Sequence, residues 1–77
     1  MTPNQKIIER NEFGVEDGIE SLTILEALAA NDRTPEGRMD LAALQYAIQE
    51  LEGAQKALAD AYDTLGQTAK LRRRNQP

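Results

Sequence analysis

Two pairs of carboxylates are the first residues in this sequence whose spacing could support chemistry. Glu9 with Glu12, and Asp60 with Asp63, stand three residues apart, which is the spacing of paired ligands on the helices of di-metal bundles. The same spacing recurs on any acidic, solvated helix, and neither pair falls on the helix-packing positions identified below. We therefore expect solvated faces at both pairs and no metal ion.

Residues 32–43 imitate part of a calcium-binding loop. Gly37 stands at the sixth position and Asp40 at the ninth, as such a loop requires. Ala43, however, occupies the twelfth position, where the loop needs a bidentate glutamate. Pro35 is also typical of a helix start. This pattern therefore predicts no calcium site.

Catalytic constellations are scarce elsewhere in the chain. Histidine and cysteine are absent, which excludes imidazole acid–base chemistry, catalytic triads and the usual zinc sites. Ser21 is the only serine, and the five glycines are isolated rather than gathered into a phosphate-binding loop. We expect a protein that is not an enzyme and that binds no cofactor.

Length and composition favour a single small domain, residues 1–77, with a thin core. The chain has 77 residues and only three aromatic side chains, Phe13, Tyr46 and Tyr62, so leucine, isoleucine and alanine must form its core. Without cysteine, self-association is the usual remaining way to stabilise so small a core. No apolar run is long enough to span a membrane and no signal-peptide pattern is present. We expect a cytoplasmic protein that does not bind membranes.

The first half of the chain predicts one or two helices. Thr2, Pro3 and Gln5 are typical of a capped helix start, and Phe13-Gly14 would end a short helix there. Residues 1–14 are thus either a short helix or a flexible arm. From about 15 to 31, apolar residues recur at three- and four-residue steps and predict an amphipathic helix, whose acidic start suits the helix dipole.

The second half predicts a long helix from about 35 to 70, beginning at Thr34-Pro35 after a short polar connector. With Leu41 as heptad position a, the a and d positions are apolar or aromatic except at Gln55. We name these positions the seam: Leu41, Leu44, Ile48, Leu51, Gln55, Leu58, Tyr62 and Leu65. Gln55 either fixes the register of a bundle or lies where water reaches it.

The two predicted helices differ in length. At 1.5 Å per residue, a helix over 35–70 measures about 54 Å and one over 15–31 about 25 Å. A hairpin of the two would therefore leave Leu58, Tyr62 and Leu65 uncovered. Either residues 3–13 fold back over them or a second copy does. The sequence thus predicts an all-α hairpin that dimerises into a helical bundle.

Two further surfaces could bind partners. Tyr46, Glu50, Gly53 and Asp60 form a candidate partner face on the long helix. The second surface is a basic tail over residues 70–77. It carries four of the nine basic residues of the chain: Lys70, Arg72, Arg73 and Arg74. Removing these four cations from the net charge of −4 leaves −8 on residues 1–69, so only the tail should attract nucleic acid.

These observations favour a non-enzymatic protein–protein interaction module. It would be a small acidic adaptor or inhibitor of a larger protein machine, forming a homodimer and binding an unidentified protein with a basic surface. In outline, the architecture resembles small two- or three-helix proteins that dimerise into bundles, among them accessory proteins of mobile elements such as phages. The alternative is a nucleic-acid-associated regulator that uses the basic tail.

Overall fold

The protein is an antiparallel hairpin of two long helices. The computed structural model describes residues 1–75, in which α1 spans Pro3–Ala30 and α2 spans Pro35–Asn75. The hairpin measures 67 × 14 × 10 Å between Cα atoms, a single layer two helices wide. The predicted all-α hairpin is confirmed, but α1 has 28 residues rather than the 17 of the predicted 15–31 helix.

Residues 1–14 contain neither a separate short helix nor an arm, because α1 runs without a break from Pro3 through Gly14. The predicted capping box is present: the Thr2 hydroxyl accepts from the Gln5 backbone N–H at 3.1 Å, and Gln5 Oε1 accepts from the Thr2 N–H at 2.9 Å. Gly14 has a negative φ, and a glycine inside a helix costs only about 1 kcal/mol. The predicted helix end at Phe13-Gly14 was therefore wrong, and the acids after it lie in the middle of α1.

Each helix turns one line of residues towards the other. On α1 these half-buried residues recur at alternating steps of three and four, as in a heptad repeat: Ile8, Glu12, Val15, Ile19, Leu22 and Glu26. On α2 seven of the eight seam residues are half-buried, but Gln55 is exposed. Within the hairpin, Gln55 therefore lies where water reaches it.

The connector between the helices is held by one aspartate. Asp32 Oδ1 accepts from the Thr34 backbone N–H at 3.0 Å and from the Thr34 hydroxyl at 2.7 Å, while Thr34 Oγ1 accepts from the Gly37 N–H at 3.1 Å. The backbone hydrogen bond first, and the hydroxyl second, lower the pKa of the Asp32 carboxyl below its ordinary value. Gly37 is buried against this turn. The predicted helix start at Thr34-Pro35 is confirmed.

The second helix continues further than predicted. It reaches Asn75, so Lys70, Arg72, Arg73 and Arg74 occupy its last turns rather than a separate tail. Of the predicted 70–77 tail, residues 76 and 77 lie outside the described residues. Positive side chains at a helix C-terminus interact favourably with the helix dipole, which helps the helix to persist there.

The hairpin has no fully buried apolar core. Among residues 1–75, no hydrophobic side chain is buried, and the polar Gln5 is the most enclosed side chain at 8% exposed. Two helices can cover only one side of each other, so the seam residues remain half-buried. Within that same part of the chain, neither helix has an apolar stretch long enough to cross a membrane.

Candidate interaction surfaces

One long side of the hairpin contains an apolar groove near the connector. The groove encloses about 470 Å³ and has two acids at its rim. It is lined by Leu25, Leu28 and Ala29 of α1, by Ala43 and Leu44 of α2, and by the rim residues Asp32 and Asp40. Leu25 is 47% exposed and Leu28 is 64% exposed. These leucines thus face open space that another apolar surface could fill.

The same side of the hairpin stays poor in charge along most of its length. Because residues seven apart share one side of a heptad-packed helix, the groove continues as a strip that we name the apolar face. On α1 it comprises Ile7, Asn11, Gly14, Gly18, Ser21, Leu25 and Leu28. On α2 it comprises Asp40, Ala43, Ala47, Glu50, Ala54, Ala57 and Ala61. Asp40 and Glu50 are the charged residues of this strip.

The opposite side of the hairpin is strongly charged. A shallow groove of about 280 Å³ there is lined by Glu9, Glu12, Ala59, Tyr62 and Asp63. Heptad steps from these residues extend the side, which we name the charged face. Its charged members include Glu9, Glu12, Glu16, Glu52, Lys56, Asp63 and Lys70. The two long sides of the hairpin therefore differ sharply in charge.

Three of the four carboxylates in the spaced pairs meet at the charged face. Glu9 and Glu12 are half-buried against α2, which corrects the expectation that both pairs avoid the packed side of their helices. Asp63 lines the same groove, whereas Asp60 does not. In the part of the chain that the structure describes, no three histidine, cysteine or carboxylate residues are grouped so as to hold a metal ion.

Gln5 fastens the two helices together at the end remote from the connector. Its Nε2 donates to the backbone carbonyl of Tyr62 at 3.1 Å, while its Oε1 caps α1. The amide packs against Gly66, where a Cβ atom would lie 2.8 Å from Gln5 Nε2. One side chain thus caps α1 and fixes its register on α2. The capping motif predicted only the first of these roles.

The outer strip of α2, directed away from α1, carries exposed apolar residues. Met39 is 73% exposed and Tyr46 is 65% exposed, and Gly53 and Asp60 continue the strip at seven-residue steps. Glu50, which the sequence grouped with Tyr46, lies instead on the apolar face. The predicted partner face is therefore divided between two sides of α2.

The basic residues line a groove at the end of α2. Lys70, Arg73 and Arg74 surround Leu71, which is 54% exposed. Arg72 belongs to the same turns of the helix. The cations are concentrated at the end of the hairpin opposite the connector.

Exposure of Leu25 and Leu28 was not expected from their helical spacing. Leu25 is 47% exposed and Leu28 is 64% exposed. The inward line of α1 passes from Leu22 to Glu26, so both leucines fall on the apolar face instead. The available signal was the strict heptad count from Val15, which leaves out both leucines.

No protein-family model, curated protein or solved structure matches this chain.

Proposed function

We propose that this chain is a non-enzymatic interaction module, an acidic adaptor or inhibitor that binds a larger protein machine through its helical surfaces. The observation that carries the proposal is the missing core: no hydrophobic side chain among residues 1–75 is buried. Covering one exposed leucine or methionine contributes about 1.5 to 3 kcal/mol. A second molecule that covers several such side chains would therefore stabilise this fold substantially.

Charge separates the surfaces on which such a partner could bind. The body of the hairpin, residues 1–69, carries a net −8 once the four terminal cations are set aside from the total of −4. A protein with a basic surface would be attracted to this body and repelled by the cationic end of α2. The exposed Met39 and Tyr46 on the outer strip supply apolar anchors beside Asp60. We assign the protein partner to this outer strip.

The proposal is tested by capturing binding partners on the immobilised full chain and measuring their affinities. Truncation after Ala69 removes all four terminal cations, whereas Tyr46→Ala with Asp60→Lys alters the outer strip. A protein partner should still bind the truncated chain, and its affinity for the double variant should be lower by about tenfold or more. Glu52→Lys with Asp60 intact makes a matched charge change on the charged face and should have a smaller effect.

A nucleic-acid-associated regulator would give the reverse pattern. Nucleic-acid binding would disappear on truncation after Ala69 and would be unchanged by the Tyr46 and Asp60 substitutions. The salt dependence of its affinity would correspond to the release of no more than about four ions. That result would refute the proposed function and make the cationic end of α2 the functional element.

A further inference from the structure

The apolar face has the properties of a surface that binds a second copy of the same chain. It lies along one open side of the hairpin, it contains the exposed Leu25 and Leu28, and it has only two charged residues, Asp40 and Glu50. A heterologous protein with a basic surface has little to bind there, because such a partner would leave its cations unpaired. An identical face, by contrast, is matched in length, polarity and shape.

The available area is sufficient for a stable dimer. Where the two helices overlap, the face is as long as the 28 residues of α1, which is about 42 Å, and two adjacent helices are about 20 Å wide. The face therefore offers about 800 Å² per copy. Stable protein interfaces bury about that area on each partner.

Charges at the two ends of the hairpin decide the orientation. The cations Lys70, Arg72, Arg73 and Arg74 lie at the end of α2 remote from the connector. Around the connector, acids outnumber the bases Arg33 and Arg38; these acids are Glu26, Asp32, Glu36 and Asp40. A parallel dimer would place the two cationic ends together, which is repulsive. An antiparallel dimer places each cationic end beside the acidic connector of the other copy.

We infer that two hairpins pack apolar face to apolar face in antiparallel orientation and form a four-helix bundle. This inference rests on the proposed interaction function and assigns separate surfaces: the apolar face binds the second copy, and the outer strip of α2 stays free for another protein. A dimer centred on the stretch where the two helices overlap has its twofold axis near the middle of α1, at the level where Gly18 lies beside Leu51.

A matched pair of alanines tests which face is used. Ala57 on the apolar face and Ala59 in the groove of the charged face are both exposed and stand two residues apart on α2. Ala57→Glu would bury two unpaired carboxylates in the dimer and should raise its Kd by at least about 100-fold. Ala59→Glu should change the Kd by less than about threefold. Sedimentation equilibrium of each full-length variant measures both values, and equal effects would overturn the inference.

A distance measurement tests the orientation without altering either face. Met39 points outward and is 73% exposed, and the chain has no natural cysteine, so Met39→Cys provides one spin label per copy. Met39 lies 12 residues, or about 18 Å, from the level of Leu51. In the antiparallel dimer the two labels should therefore lie about 36 Å apart along the bundle, and in a parallel dimer they would lie at the same level. A short label distance overturns the orientation. A chain that remains monomeric at about 100 µM overturns the dimer. The proposed function is then still decided by partner capture.

Discussion

The hydrogen bond from Gln5 to α2 offers a sharp test of how the hairpin is held together. Gln5→Glu keeps an oxygen that can accept from the Thr2 N–H, so the capping box is retained. The substitution removes the Nε2 donor that binds the Tyr62 carbonyl at 3.1 Å and places a carboxylate oxygen beside that carbonyl. Only the contact between the helices is therefore lost.

The size of the effect follows from the burial of this side chain. A typical hydrogen bond contributes about 1 kcal/mol, and Gln5 is only 8% exposed, so its charged replacement is also poorly solvated. We expect a loss of about 2 to 3 kcal/mol in the free energy of unfolding at neutral pH. Gln5→Met keeps a side chain of similar length without a charge but loses both hydrogen bonds of the amide, so it should lose about 2 kcal/mol and this loss should not depend on pH.

Denaturant unfolding followed by helical circular dichroism, at one protein concentration, measures these differences. A carboxylate that is unfavourable in the fold has a raised pKa there, so its cost is present at neutral pH and declines as pH falls and the carboxyl is protonated. The protonated side chain also regains a donor for the Tyr62 carbonyl. The stability of Gln5→Glu relative to the parent should therefore recover in acid. Equal stability of the two proteins at pH 7 would refute the role assigned to Gln5.

Four further substitutions have defined outcomes. Gly37→Ala should destabilise the hairpin by about 1 to 3 kcal/mol in thermal unfolding, because its Cβ would lie 2.5 Å from Asp32 Cγ and 2.8 Å from the Asp32 carbonyl oxygen. Gly53→Ala should add about 0.5 to 1 kcal/mol in the same assay, since nothing lies within 4 Å of its Cβ position. The pKa of Asp32 is lowered in the fold, so its carboxylate stabilises the hairpin above the unfolded pKa, and this stabilisation is lost as pH falls through the folded pKa. In Asp32→Asn the free energy of unfolding should therefore depend less on pH below about pH 4. Glu50→Gln should strengthen self-association in sedimentation equilibrium, because it removes one of the two charges from the apolar face.

Local signals predicted the parts of the fold that depend on a few neighbouring residues. Thr2 with Gln5, and Thr34 with Pro35, carry the capping chemistry that starts each helix, and both starts are confirmed. The spacing of the seam also predicted the inward side of α2, except at Gln55. Caps and heptad spacing are properties of one segment, so they can be identified without knowing the partner helix.

The continuity of α1 could not be predicted from local signals, because it depends on packing between distant residues. Gly14 has the weak helix propensity that suggested a boundary, yet the contact of Gln5 with Tyr62 and the inward Ile8 favour one unbroken helix. The apolar face could be identified only once the inward line of α1 was seen to pass through Glu26 rather than Leu25. A face shared by two helices requires their relative register, which neither segment encodes alone.

Thermal unfolding of the unmodified chain at several concentrations tests the central claim that this hairpin depends on covering its exposed apolar surface with a second copy. If folding and association are coupled, a tenfold rise in concentration changes the free energy by about 1.4 kcal/mol. For a two-chain unit of this size, the midpoint should rise by about 3 to 6 °C for each tenfold increase. A well-folded protein whose midpoint does not change with concentration would contradict the claim.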